Sequence, residues 1–176
     1  MKGLKLTSAI ALLSFMVISP RVDAQTLPDT NIKPQIERMQ VESDPNQNST
    51  GDNKKAATYL EEGIKLFKAK KYREAIETFD EVLKIQPNNQ YAYFFKGASY
   101  FQLKEYQQAK TYLDKSIELD DSMSYSYFFR GVTNAVLGNK DNAITDLETA
   151  TKLFEKDGDT ELAQTSRKVI EQLRNA

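Results

Sequence analysis

Residues 59–87 read YLEEGIKLFKAKKYREAIETFDEVLKIQP, residues 93–121 read YFFKGASYFQLKEYQQAKTYLDKSIELDD, and residues 127–155 read YFFRGVTNAVLGNKDNAITDLETATKLFE. Laid over one another, they share a frame of 34 residues: Tyr59, Tyr93 and Tyr127; Gly63, Gly97 and Gly131; Ala75, Ala109 and Ala143; Phe79, Leu113 and Leu147. Tyr72 and Tyr106 keep that frame in the first two stretches. The whole chain holds only 7 Gly, so agreement at this many places is an internal repeat and not coincidence. A unit of this length is one supersecondary element that cannot bury its apolar face alone, so the fold must be a stack.

Within a unit the apolar spacing is helical. Tyr59, Gly63, Leu66 and Phe67 share one face of Ala56 to Lys70, and Ala75, Ile76, Phe79, Val82 and Leu83 share one face of Tyr72 to Ile85. The link Lys70-Lys71 is short enough to demand antiparallel helices, and Pro87-Asn88-Asn89 stops the second helix. Glycine costs roughly 1 kcal/mol in a helix interior. Its recurrence therefore predicts a close approach, with Gly63 on the first helix opposite Ala75 on the second.

The order aromatic, Gly, aromatic or Leu, Tyr, Ala, Phe or Leu, small, Pro over 34 residues resembles the tetratricopeptide repeat. Three copies fit, at 56–89, 90–123 and 124–157, within a repeat region of 54–157. The second departs at Asp121, and the third at Asn134 and Lys140. The resemblance implies an all-α fold, a right-handed superhelical stack of three hairpins. A C-terminal capping helix is expected over 158–176, with Leu162, Val169, Ile170 and Leu173 on one face. Asp157, Asp159 and Glu161 alternate as in a calcium loop, but the sixth and twelfth places from Asp157 hold Leu162 and Lys168 instead of Gly and Glu. Acidic residues favoured at a helix start give the better reading.

The two ends differ from the repeats in composition. In Met1 to Ala24, Lys2 and Lys5 precede an apolar run from Ala9 to Ser19, and Val22-Asp23-Ala24 offers a small-residue cleavage site. An export signal over 1–24 is expected, with the protein in the periplasm or another lumenal or extracellular compartment. The run falls short of the roughly 20 residues that span a bilayer, so no integral membrane segment is expected after cleavage. Residues 25–53 carry Pro28, Pro34 and Pro45 and a polar tract, and read as a flexible linker. Ile32, Ile36, Met39 and Val41 within it are either scattered hydrophobes or an arm that folds back onto the stack.

The chain has no His and no Cys, which removes the usual general base, thiolate metal sites and common nucleophilic pairs. No cofactor or metal is expected, and a non-catalytic role is the leading reading. Carboxylate chemistry of the glycosidase kind stays open in principle but needs an acidic cluster in a cleft, and Glu61 alone does not supply one. Removing Lys2, Lys5, Arg21 and Asp23 from 24 basic and 25 acidic residues leaves 21 against 24, a net charge of −3. Interspersed charge of that size argues against nucleic acid as a partner.

In the family the first helix of every hairpin lines a concave surface, through positions two, five, six, nine, twelve and thirteen. The resemblance places there Ala57, Leu60, Glu61, Ile64, Phe67 and Lys68; Tyr91, Phe94, Phe95, Ala98, Phe101 and Gln102; and Tyr125, Phe128, Phe129, Val132, Ala135 and Val136. Eight of these are aromatic and two are charged. The Lys, Asn and Arg that grip a C-terminal carboxylate in the best known version of this groove correspond to Leu60, Ile64, Phe95, Tyr125 and Phe129, so that clamp is missing. The candidate site is Leu60, Ile64, Tyr91, Phe94, Phe95, Phe101, Tyr125, Phe128, Phe129 and Val132. Its rings either face outward or pack between hairpins. The leading expectation is an exported adaptor that holds an apolar or amphipathic segment of a protein or peptide partner. The alternative is a structural module whose groove is filled by its own N-terminal arm or by a second copy in a homo-oligomer.

Overall fold

The structure is a computed structural model and describes residues 51–175. The expected export signal and the linker up to residue 50 lie outside the described residues. Seven helices follow one another among them: α1 (Gly51–Lys68) and α2 (Tyr72–Ile85), α3 (Gln90–Gln102) and α4 (Tyr106–Leu119), α5 (Ser124–Val136) and α6 (Lys140–Lys156), then α7 (Thr160–Asn175). Each pair is an antiparallel hairpin, each hairpin packs on the next, and α7 packs on α6. The chain is an all-α repeat stack.

Helix α1 begins at Gly51, so Gly51–Asn53, read from sequence as linker, form its first turn. Asp52 sits there, where the helix dipole favours an acid. The Gln86 amide donates to Asn53 Oδ1 at 3.3 Å and ties this turn to the end of α2.

The recurring glycine makes room for a different neighbour from the one its spacing suggests. A Cβ on Gly63 would lie 2.5 Å from the Phe79 ring, one on Gly97 2.6 Å from Leu113 Cγ, and one on Gly131 2.8 Å from Leu147 Cγ. The large residue of the second helix fills the notch, and Phe79, Leu113 and Leu147 are fully buried. Ala109 and Ala143 enter through their backbone carbonyls, 3.2 Å from the added Cβ at Gly97 and Gly131. Gly and the large residue are thus one contact repeated three times.

The first helix of each hairpin ends in the same hydrogen-bond pattern. Lys71 N–H donates to the Leu66 carbonyl at 3.0 Å and Lys70 N–H to the Phe67 carbonyl at 2.9 Å; the pairs Glu105–Tyr100 with Lys104–Phe101, and Asn139–Asn134 with Gly138–Ala135, repeat it. The pattern needs a left-handed residue at the turn. Lys70 (φ 62°), Lys104 (φ 62°) and Gly138 (φ 82°) hold that place. At the far end Asp159 Oδ1 accepts the Leu162 N–H at 3.1 Å, so this carboxylate caps α7. Helix α7 buries Leu162, Ala163, Ser166, Val169, Ile170 and Leu173 and turns its charged residues outward.

Candidate functional site

The first helices of the hairpins, α1, α3 and α5, carry all ten sequence-predicted site residues. The structure brings their rings together in one line. Phe67 meets Phe95 edge-on at 5.6 Å, Phe94 meets Phe129 at 5.7 Å and Tyr125 at 6.2 Å, and Phe128 meets Phe154 at 6.1 Å. Phe101 meets Phe129 at 5.8 Å, and Phe95 stacks on Phe79 at 5.4 Å. Edge-to-face pairs of this kind contribute roughly 0.5–1.5 kcal/mol beyond the area they bury.

An open, solvent-facing aromatic patch is not what results. Phe94 and Phe95 are 0% exposed, Phe128, Phe129 and Val132 1%, and Ile64, Phe101 and Tyr125 are buried as well. Leu60 and Tyr91 are half-buried. Rings at this spacing gain more from one another's edges than from standing in water, so the outward-facing reading fails for most of them. Val136 is the one exposed large hydrophobic among the described residues. The accessible rim of the face therefore consists of Ala57, Leu60, Glu61, Lys68, Tyr91, Gln102 and Val136.

Burial governs the chemistry of Tyr125. Its phenol is pushed up to about 12, first by burial and then by the carboxylates of Asp159 and Asp157. It is a neutral ring at any physiological pH.

A second feature, absent from the sequence reading, joins successive hairpins through charge. Lys96 on α3 is buried, pairs with Asp80 on α2, and lies 4.2 Å over the Tyr112 ring. Thirty-four residues on, Arg130 on α5 pairs with Asp114 on α4 at 2.9 Å and grips Asp146 on α6 with Nε at 2.9 Å and Nη2 at 2.6 Å. Arg174 on α7 then reaches Glu148 on α6 at 2.7 Å. Asp80, Asp114 and Glu148 share the 34-residue frame, and each is met by a cation from the next element. Burial lowers the affinity of Lys96 for its proton, but Asp80 and Tyr112 outweigh it and hold the ammonium above its ordinary range. Arg130 is likewise opposed by burial and raised by Asp146 and Asp114. The repeating spacing of these charges was the available signal.

Among the described residues no group of three or more His, Cys, Asp or Glu is placed to hold a metal ion, and no helix is long and apolar enough to cross a membrane. A cleft of about 570 Å³ between α6 and α7 is lined by Glu148, Lys152, Glu155, Arg167, Glu171 and Arg174, among others. Two ion pairs, Arg167–Glu155 and Arg174–Glu148, bridge it.

A stack of antiparallel helical hairpins, each packed on the next, defines a class of repeat protein. The chain belongs to the tetratricopeptide repeat family: models of that repeat match residues 66–122 and residues 124–157. A comparison with curated proteins returns no significant match. Among solved structures, the chain is similar to the TPR2B domain of yeast Sti1 in its pHsp70 complex, at 18% identity and a TM-score of 0.64, over 69% of this chain and 97% of that one. It is similar to the first TPR of Spaghetti (RPAP3) bound to the HSP90 peptide SRMEEVD, at 27% identity and 0.57, over 66% and 94%. It is also similar to PcrH in complex with the chaperone binding region of PopD, at 18% identity and 0.66, over 70% and 93%.

Proposed function

We propose that this chain is an exported protein-interaction adaptor that holds an apolar or amphipathic segment of another protein along the face formed by α1, α3 and α5. The observation that carries the reading is the unbroken line of rings from Phe67 through Phe95, Phe94 and Phe129 to Phe128 along those three helices, in place of the cations that grip a carboxylate tail. The solved relatives support it in kind, since the Spaghetti domain is bound to a peptide and PcrH to a region of PopD. The segment meets the rim residues Leu60, Tyr91 and Val136, with the buried rings behind them setting the shape. After association costs micromolar affinity is expected, about 8 kcal/mol net at a 1 M standard state. Export rests on Lys2, Lys5 and the apolar run from Ala9 to Ser19.

Replacing Phe95 or Phe129 cannot test this, because both are core residues whose loss unfolds the stack. The test is a photocrosslinking residue placed at Leu60, at Tyr91 and, as control, at exposed Lys168 on α7. Crosslinks to apolar segments of one protein from positions 60 and 91, absent from 168, are the expected result. Equal capture from all three positions counts against the reading. N-terminal sequencing of the recovered protein checks export, with a new N-terminus near Gln25 expected.

A further inference from the structure

Charges interspersed along the sequence are sorted by the stack. Every hairpin is antiparallel and packs on the next, so the turns inside the hairpins, at 69–71, 103–105 and 137–139, share one edge. The links between elements, at 86–89, 120–123 and 157–159, share the other. Counted with two flanking residues on either side, the turns hold six cations, Lys68, Lys70, Lys71, Arg73, Lys104 and Lys140, against the two carboxylates Glu105 and Asp141. The links, counted in the same way, hold seven carboxylates against Lys84 and Lys156. One edge is therefore positive and the other negative.

All six cations of the turn edge are exposed. Lys71 pairs with Glu74 and Arg73 with Glu105, but both cations stand more than half in solvent, where an ion pair is worth little. Lys68, Lys70, Lys104 and Lys140 enter no ion pair among the described residues. Helix stability does not account for the sorting. Lys68 ends α1, where the dipole favours a cation, but Lys71, Arg73 and Lys140 stand at the starts of α2 and α6, where it opposes one. Glu118 and Glu155 stand at the ends of α4 and α6, where it opposes an acid. Charge follows the edge of the stack, not the end of the helix.

We propose that the turn edge rests on an anionic lipid surface. The cations spread over three successive turns, about 20 Å from the first to the third, which suits an extended anionic surface better than a single small ligand. Five of the six are lysines, compact charges on flexible stems without the fixed fork that selects one carboxylate. Among them, at the ends of α3 and α5, lie the partly exposed Leu103 and Leu137 and the exposed Val136, apolar groups that fit the boundary between headgroups and acyl chains. The carboxylates of the opposite edge face away from such a surface. Docked in this way the helices stand on end, and the face of α1, α3 and α5 is left open at the side. Lipid contact and the holding of a protein segment then use different surfaces of one stack.

The test is co-sedimentation of the chain, as the cell produces it, with vesicles of phosphatidylcholine alone and of phosphatidylcholine with about one third phosphatidylglycerol. Binding to the anionic vesicles only, released by roughly 0.5 M salt, is the expected result. Lys68→Gln/Lys104→Gln/Lys140→Gln, one change at each turn, should weaken it ~10-fold or more, because every lysine near a charged surface adds to the attraction. Lys54→Gln/Lys84→Gln/Lys156→Gln removes the same charge from exposed places on the opposite edge and should leave binding within about twofold. Equal loss in the two variants overturns the proposal, as does equal binding to neutral vesicles. A parent that ignores both kinds of vesicle overturns it too, and its capture by polyglutamate would make an acidic protein segment the partner. Because the chain has no Cys, a polarity-sensitive dye on Asn139→Cys and, as control, on Ser122→Cys reads the contact directly at two exposed places. Emission should shift to the blue on anionic vesicles at 139 and stay unchanged at 122. The same shift at both positions would remove the turn edge as the docking surface.

Discussion

The first and third hairpins share a frame and differ in what fills it. Where the third has Arg130 clasped by Asp114 and Asp146, the first has exposed Glu62, and where the third has buried Asp146 the first has Thr78. No hairpin among the described residues precedes α1 to offer a carboxylate to a cation at position 62, whereas Arg130 inherits Asp114 from the second hairpin. The cation thus belongs to the junction between units and not to the unit. Asn134 follows the same logic: its amide donates to Asp146 at 2.9 Å, so the residue that departs from the repeat pattern completes the polar cluster that Asp146 anchors.

The sharpest way to break this contrast is to remove the shared carboxylate. Asp146→Ala leaves Arg130, whose side chain is only 21% exposed, without its bidentate partner and strips Asn134 of its acceptor. A loss of ~2–3 kcal/mol is expected from urea denaturation, because Arg130 keeps Asp114 but loses its bidentate partner in a largely buried place, and the Asn134 amide loses its acceptor. Thr78→Ala at the matching place in the first hairpin removes one side-chain bond to the Glu74 carbonyl, so a change under ~0.5 kcal/mol is expected. Equal losses at the two sites would remove the distinction between the hairpins.

A second contrast is alkaline. Tyr125 in the third hairpin stands where the first has exposed Ala57. Below pH 10 the phenol is protonated whether the chain is folded or unfolded, so its ionisation leaves stability unchanged. Between pH 10 and about 12 the unfolded chain gives up the proton while the folded one keeps it, so stability falls as pH rises through that window. The fall reaches ~2–3 kcal/mol at roughly 1.4 kcal/mol per decade of pH. Tyr72, Tyr100 and Tyr127 are also raised by burial and add to the same slope. Tyr125→Phe isolates its share: denaturation midpoints measured from pH 9 to 12 should show a visibly shallower decline, and an unaltered slope would place the effect in the other tyrosines.

The glycine notches rank next. In the first hairpin the three atoms nearest a Gly63→Ala methyl are in the Phe79 ring, which can tilt. Gly131→Ala meets Leu147 Cγ at 2.8 Å but also the Ala143 carbonyl oxygen and Asp146 Cβ at 3.2 Å, where the backbone of α6 must shift. Overpacking of ~1–3 kcal/mol is partly offset by the ~1 kcal/mol that alanine gains in a helix. Net losses of about 1 kcal/mol at Gly63 and about 2 at Gly131 are expected from thermal unfolding, and the reverse order would mean that the ring is the stiffer neighbour.

The hairpins were legible because Gly, Ala and the large residue at 79, 113 and 147 must recur wherever two helices close to the same distance. The face was legible in direction and not in exposure. Periodicity fixes where Phe94 points, but whether water reaches it depends on what lies across α3, which no spacing within α3 encodes. The cation junctions were in view at 34-residue intervals, yet Lys96 and Arg130 each sit at a spacing that ordinarily means a solvated helix face. Only the approach of the preceding hairpin turns that face inward. The partner of Gly63 was misread for a related reason: Phe79, one turn beyond Ala75, has the reach to fill the notch.

The smallest effect concerns the turns. Gly138 ends α5 in the left-handed conformation at little cost, whereas Lys70 and Lys104 adopt φ of 62° with a Cβ that crowds the following carbonyl. A left-handed non-glycine costs roughly 1–2 kcal/mol, and the extra freedom that glycine brings to the unfolded chain returns part of any gain. Lys70→Gly and Lys104→Gly are therefore each expected to stabilise by ~0.5–1 kcal/mol, about 2–4 °C in melting temperature. Both lysines are exposed, so no packing is lost with the side chain. Gly138→Lys should reverse the sign by a similar amount, since a Cβ there meets open space and only the backbone objects. If the two lysine variants melt lower than the parent while Gly138→Lys melts unchanged, the turns are indifferent to handedness, and the third hairpin's glycine is incidental to its fold.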